Sequence, residues 1–213
     1  MSQRTKIGLK MNTLNDTLAA SYVDGFDDVE KQLEIFDNWK NYIQDIIITA
    51  GWLGPSKTAA YAISNYDPTE EIADLACGPG TGGAILKLAR YENVDGYDIT
   101  PSFMEQARPF YRSVNYCNIV ETPLPRKYNL ILASGLFTKG HLSSKPAKNL
   151  ADSLTDDGVL VMTNPAMDDY DYMTESGWNS QPYLKVVNTI GPWKSLITDG
   201  EWHHHYLRVL KRT

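Results

Sequence analysis

Asp74-Leu-Ala-Cys-Gly78-Pro-Gly80-Thr-Gly82 decides the fold of this chain. The stretch begins inside a short apolar run, Glu71-Ile-Ala-Asp-Leu-Ala76, which reads as a buried strand. Its glycines let the backbone turn tightly and come close to a ligand. The residues that follow, Ala84–Arg90, read as a helix, and a helix N-terminus presents N–H groups to a negatively charged ligand group. Glycine patterns of this kind also serve nicotinamide and flavin proteins, so the turn alone does not choose between ligands.

The pattern repeats along the chain. Val94–Asp98 is a second strand, and Thr100-Pro101 opens a helix with a cap residue and a proline at its first position. Val114–Asn118 is a third strand. Tyr128–Ser134 is an almost unbroken apolar run, as expected of a central parallel strand covered on both faces. Lys145–Leu154 reads as a helix, Gly158–Thr163 as a fifth strand, Pro165–Trp178 as a loop with a short helix, and Tyr183–Ile190 and His203–Leu210 as two last strands. Strands alternating with helices predict an α/β fold. We expect a Rossmann-like, doubly wound, mostly parallel seven-stranded sheet with an antiparallel last strand.

Before the first strand, apolar residues recur at helical spacing from Val29 to Thr49: Val29, Leu33, Phe36, Ile43, Ile46 and Ile47. This predicts a helix broken near Asn38. Gly51 and Gly54-Pro55 punctuate it, and Ser56 is placed to cap a further helix ending near Ser64. The first dozen residues are polar and read as a mobile end. The expected organisation is one domain over 1–213, with a helical lid region over 1–66 and a Rossmann-like core over 67–213.

Composition narrows the function. The 213 residues are 42% hydrophobic and 22% charged, ordinary for a globular protein. A net charge of −6 argues against a broad nucleic-acid surface. The C-terminal Arg208, Lys211 and Arg212 are too few to make one and read as solvating the last strand. Only Cys77 and Cys117 occur, each at a strand end, so a reducing compartment is the expectation. No apolar run reaches spanning length, and the N-terminus lacks an apolar signal core. A cytoplasmic protein acting away from membranes and nucleic acids is expected; the oligomeric state is not readable.

Two acids point to the ligand. Asp74 stands four residues before the first loop glycine, where a carboxylate would repel a pyrophosphate. S-adenosylmethionine carries no phosphate; it brings an ammonium, a carboxylate and a sulfonium. Asp74 can support the ammonium while loop N–H groups donate to the carboxylate. Asp98 ends the second strand about 20 residues beyond that glycine, where a carboxylate accepts from ribose hydroxyls. The plainer reading makes Asp74 a strand-end acid and Asp98 a helix cap; the order strand, glycine loop, helix, strand, acid favours the ligand.

On these residues the chain resembles class I S-adenosylmethionine-dependent methyltransferases. Three further stretches resemble the methyltransferase-like subgroup of the Williams–Beuren syndrome region: Trp39-Lys-Asn-Tyr42 with Asp45, the Gly54-Pro55 step, and Gly135-Leu-Phe-Thr-Lys-Gly140-His141. The resemblance runs from about Trp39 to the C-terminus. It implies S-adenosylmethionine as cofactor and S-adenosylhomocysteine as product, held by Asp74, Ala76, Gly78, Gly80, Asp98 and Ile99. It further implies that Asn118 and Ile119 flank the adenine, that Ala133 and Ser134 lie beneath the cofactor, and that Tyr42 closes the site. Ile43 follows Tyr42 where the relatives usually carry Asp, and Asp156-Asp157-Gly158 replaces a common Pro-Gly-Gly turn.

Methyl transfer from a sulfonium asks the protein for orientation and, where needed, removal of a proton. The strands' carboxyl ends form the active face of such a sheet. His141 lies in the loop after the fourth strand, on that face; it reads either as a general base or as a brace for the loop. Tyr42 is the second catalytic candidate. Trp39 and Tyr42 share one helix face, as lid or core. His203-His204-His205 places two imidazoles on one strand face, but no Cys or acidic partner stands at ligand spacing, so no metal is expected. Asn164-Pro165-Ala166 is similar to the Asn-Pro-Pro-Tyr signature of amino-methyltransferases, yet it follows the fifth strand and reads as a strand exit near the acceptor pocket. Tyr170, Tyr172 and Trp178 either line that pocket or form an apolar cluster under a loop. The expected function is transfer of a methyl group to an O, N or S atom of a small molecule. A protein or nucleic-acid methyltransferase, or a cofactor-binding protein with a regulatory or non-methyl role, are the alternatives.

Overall fold

A computed structural model describes residues 27–167, 173–198 and 200–213. The predicted mobile first dozen residues, and Tyr170 and Tyr172, lie outside the described residues.

The core is a seven-stranded sheet with strands β1 (Ile72–Leu75), β2 (Val94–Asp98), β3 (Ser113–Tyr116), β4 (Tyr128–Ala133), β5 (Leu154–Pro165), β6 (Leu184–Thr198) and β7 (Glu201–Arg212). The spatial order is β3-β2-β1-β4-β5-β7-β6. The first five strands are mutually parallel, β7 runs antiparallel to β5, and β6 runs antiparallel to β7. The expected mostly parallel sheet with an antiparallel late strand is observed. The order reverses between β1 and β4, and an open α/β sheet binds ligands at the carboxyl ends beside such a reversal.

The central strands are buried on both faces, which is why their sequences run apolar without alternation. Ile72, Ala73, Leu130, Ile131, Leu132, Leu160 and Val161 are all fully enclosed. Helices α2 (Gly54–Asn65), α3 (Thr81–Leu88), α4 (Pro101–Ala107), α5 (Ala147–Asp152) and α6 (Glu175–Ser180) follow the α1 helix (Val29–Asp37) in the chain.

Local chemistry corrects several boundaries. The expected helix over 29–49 breaks where predicted: α1 ends at Asp37, with Asn38 as its C-cap, and Ile43–Thr49 is a separate π-helical segment. Ser56 does not cap α2. That helix begins two residues earlier, at Gly54-Pro55, with Leu53 as its N-cap and no side-chain cap. Gly54 is required there because a Cβ would stand 2.1 Å from the Trp52 ring and 2.4 Å from Ser134 Oγ. Arg208 does not solvate the last strand. It is buried and donates to Asn164 Oδ1 (2.9 Å) and to the Met173 carbonyl (2.5 Å). Asn164-Pro165 does end β5, as expected of a strand exit, while the Asn164 side chain is buried and donates to the Phe137 carbonyl at 3.0 Å. Trp178 is fully enclosed against Phe137, with ring centroids 5.1 Å apart, and therefore belongs to the apolar cluster.

Candidate functional site

The site lies at the carboxyl ends of β1, β2, β3 and β4. The turn after β1 puts Ala76, Gly78 and Gly80 at φ of 56°, 54° and 96°. Glycine takes this left-handed region without penalty, whereas Ala76 holds it at a cost of about 1–2 kcal/mol. The strain sits at a residue that lines the cleft. Gly80 is also the N-cap of α3, and its side supplies no capping group.

Asp74 and Asp98 are both buried. Asp74 Oδ2 accepts from the Tyr111 hydroxyl at 2.6 Å, and that hydroxyl accepts from the Gly83 N–H at 2.9 Å. Burial pushes the Asp74 carboxyl up to about 7, against the lowering pull of Tyr111, and the Asp98 charge adds to the rise. A buried carboxylate in this state gains from a cation placed beside it. Asp98 is fixed by the glycine loop and by the start of α4: its Oδ2 accepts from the Gly78 N–H and its Oδ1 from the Thr100 N–H, both at 2.8 Å. Burial raises its carboxyl, and these two N–H groups oppose the rise.

A cleft runs along this edge, and a concave space at the switch point of an α/β sheet is where a small molecule or cofactor binds. Ala76, Gly78, Asp98, Ile99, Asn118, Ile119 and Ser134 all line it. A second cavity, lined by Asp74, Thr81 and Gly82 among others, lies at the glycine loop and shares Ala76, Gly78 and Ser134 with the cleft. The predicted cofactor residues are thus brought together, except that Gly80 lines neither space and acts through the turn. Ser134 Oγ is buried and has no hydrogen-bond partner among the described residues. An orphaned hydroxyl that borders both cavities fits a site built to receive a polar ligand.

The N-terminal segment covers the cleft. Gln32 Nε2 donates to the Gly140 carbonyl at 3.3 Å, the Asp27 N–H donates to the His141 carbonyl at 2.9 Å, and the Asp27 carboxylate accepts from Ser143 N–H and Oγ at 3.0 and 2.8 Å. These bonds tie it to the loop after β4. Phe36 and Tyr42 meet Phe103 of α4 at 6.0 and 4.9 Å, which ties it to the opposite wall. Within the segment, Trp39 Nε1 donates to Asp45 Oδ2 at 2.8 Å.

His141 is held by its own loop. Its Nδ1 lies 2.8 Å from the Gly135 carbonyl oxygen. A carbonyl only accepts, so Nδ1 carries the proton and Nε2 is an acceptor. Nε2 is buried without a partner among the described residues. Burial lowers the pKa of the ring below 6.5, keeping it neutral. The ring lines the cleft and also a third cavity, which it shares with Phe36, Trp39, Tyr42, Trp52 and His205. Tyr42 alone among the described residues borders all three spaces.

The three consecutive histidines have separate fates. His205 is buried and meets Trp52 at 4.8 Å between ring centroids, while His203 and His204 are exposed. Pro165 of β5 pairs with His205 as its last partner, so His203 lies beyond the shelter of that strand. Among the described residues no group of three His, Cys, Asp or Glu side chains could hold a metal. Cys77 and Cys117 are free buried thiols, and among the described residues no helix is long and apolar enough to cross a membrane. Sequence reasoning did not single out Tyr111, Trp52 or Phe103. Each reaches the site from a distant part of the chain, with no local motif to mark it.

No family model matches the chain. Human methyltransferase-like protein 27 is 23% identical over 195 residues, covering 84% of this chain and 78% of that protein. A TehB-like SAM-dependent methyltransferase from Corynebacterium glutamicum superposes with a TM-score of 0.57 at 19% identity, covering 73% of this chain and 87% of its own. Magnesium protoporphyrin IX methyltransferase from Synechocystis, solved with bound SAM, superposes with a TM-score of 0.56 at 12% identity, covering 94% and 92%. The chain has the fold of these class I methyltransferases.

Proposed function

We propose that this protein is an S-adenosylmethionine-dependent methyltransferase acting on an O, N or S atom of a small molecule, and that it belongs with the methyltransferase-like subgroup its motifs resemble. One observation carries the reading: two buried carboxylates, Asp74 and Asp98, flank a left-handed glycine turn at the topological switch of the sheet. Asp74 and Thr81–Gly82 would hold the amino-acid end of the cofactor, Asp98 and Ile99 the ribose, Asn118 and Ile119 the adenine, and Ser134 the floor between them. Bound there, S-adenosylmethionine supplies a methyl group already activated by its sulfonium.

The chain's own part is then positioning, exclusion of water and proton removal. The segment from Val29 to Thr49 is the lid, and its rings keep water from the cleft. Tyr42 sits where the three spaces meet and orients the acceptor beside the cofactor. His141 Nε2, neutral and unpartnered among the described residues, takes the proton from the acceptor's nucleophilic atom. The space behind His141 is walled by the rings of Phe36, Trp39, Tyr42 and Trp52, which favours a small molecule over a folded macromolecular acceptor. Release of S-adenosylhomocysteine from S-adenosylmethionine is the test. The purified protein should release it only when small-molecule fractions of a cell extract are added. Stimulation confined to the protein or nucleic-acid fraction would reverse the acceptor class.

A further inference from the structure

The cavity behind His141 combines apolar walls with two imidazoles, a combination that the methyl-transfer reading does not by itself require. Its walls are the rings of Phe36, Trp39, Tyr42 and Trp52, and no Lys, Arg, Asp or Glu among the described residues lines it. A carboxylate or phosphate placed there would find no counter-charge, and burying an unpaired charge is strongly unfavourable. Flat apolar walls suit a planar ring.

The hydrogen bonds around the two histidines fix what such a ring must carry. Ser195 Oγ lies 2.8 Å from the His203 carbonyl oxygen and 2.5 Å from His205 Nδ1. The carbonyl cannot donate, so the single hydroxyl proton of Ser195 goes to it. Ser195 Oγ must then accept, and His205 Nδ1 carries a proton. The only ring nitrogen His205 can offer the cavity is Nε2, as an acceptor. The Gly135 carbonyl imposes the same tautomer on His141. One cavity is therefore bordered by two imidazoles, each locked by a backbone or hydroxyl partner so that it accepts and does not donate.

We propose that this cavity takes a neutral aromatic acceptor bearing two hydrogen-bond donors, one hydroxyl or amine facing His141 and a second facing His205. The first is the atom that is methylated, a point that rests on the methyl-transfer reading. His205 is a specificity-determining residue: its Nε2 anchors the group that is not methylated, and Ser195 holds its tautomer. A ligand lacking that second donor forgoes the bond to His205, which costs affinity without adding a clash.

Calorimetric titration of catechol, resorcinol and hydroquinone, with phenol and benzoate as references, tests this on the protein with and without S-adenosylhomocysteine. At least one of the three diols should bind about tenfold or more tightly than both references. His205→Phe keeps a ring against Trp52 but removes the acceptor, and should bring the preferred diol down to the affinity of phenol while leaving phenol unchanged. Ser195→Ala, which frees the tautomer without touching the ring, should weaken the diol preference in the same direction and covers the case in which His205→Phe misfolds. Benzoate binding as tightly as the diols, or an undiminished diol preference in a folded variant, would overturn the proposal. Diol selectivity without any binding of S-adenosylhomocysteine would leave this cavity's assignment standing and remove the methyl-transfer reading.

Discussion

His141 donates its Nδ1 proton to the carbonyl of Gly135, 2.8 Å away and six residues earlier in the same loop. The bond orients the ring and leaves Nε2 deprotonated, the state a general base must occupy before it acts. If Nε2 accepts the acceptor's proton, His141→Ala should lower turnover by about 10²–10⁴-fold with little change in S-adenosylhomocysteine affinity. Burial places the ring's pKa below 6.5, so turnover should hold at neutral pH and fall only as pH drops below 6.5. A loop brace would behave differently: cofactor affinity and melting temperature would decline together with turnover.

Asp74 should make both stability and cofactor affinity depend on pH, in opposite senses. Its carboxyl titrates near 3.8 in an unfolded chain and about 7 in the folded one. Between those values the folded chain holds a proton that the unfolded chain lacks, so stability falls as pH rises through that window. Asp74→Asn keeps an acceptor for Tyr111 and removes this cost. Thermal melts of the unliganded protein at pH 8 should show the variant more stable, by on the order of 2–4 kcal/mol, with the gap closing toward pH 4. The cofactor's ammonium favours the ionised carboxylate, so affinity for S-adenosylhomocysteine in the parent should fall by up to about tenfold per pH unit below 7. A variant that is less stable at pH 8, together with pH-independent affinity in the parent, would show that Asp74 is neither strained nor a cation partner.

The lid can be read by hydrogen exchange. Its bonds to the His141 loop and its ring contacts with Phe103 join the two walls of the cleft. A ligand beneath it should slow exchange over residues 29–49 and over the glycine loop together. Slowing at residues 76–83 alone would leave the segment as a fixed part of the wall.

Much of this was legible in the sequence because it is local. The run from Asp74 to Gly82 encodes strand, turn and helix in nine residues, and Asp98 follows in the next strand. Buried strands such as Tyr128–Ala133 declare themselves by apolarity that only Asn129 interrupts. The break near Asn38 was visible in the changed apolar spacing, whereas the π-helical winding of Ile43–Thr49 was not, since both conformations share a near-helical period. Long-range partners left no trace. Tyr111 reaches Asp74 across 37 residues, and Arg208 reaches Asn164 across 44. His205 looked equivalent to His203 because both project from one strand face. Their separation depends on where β5 stops, which is a property of the sheet and not of the triplet.

Calorimetric titration with S-adenosylhomocysteine, on the parent and Asp98→Ala side by side, decides whether the β1–β2 edge is the cofactor site. Asp98 is oriented by the N–H groups of Gly78 and Thr100, which leaves its remaining lone pairs for the ribose hydroxyls. The parent should bind one equivalent and give no heat with NAD. The variant should bind more weakly by on the order of 2–4 kcal/mol, the loss of two hydrogen bonds to a charged acceptor. Parent-like affinity in a folded Asp98→Ala variant, or tight NAD binding by a parent that ignores S-adenosylhomocysteine, would contradict the account.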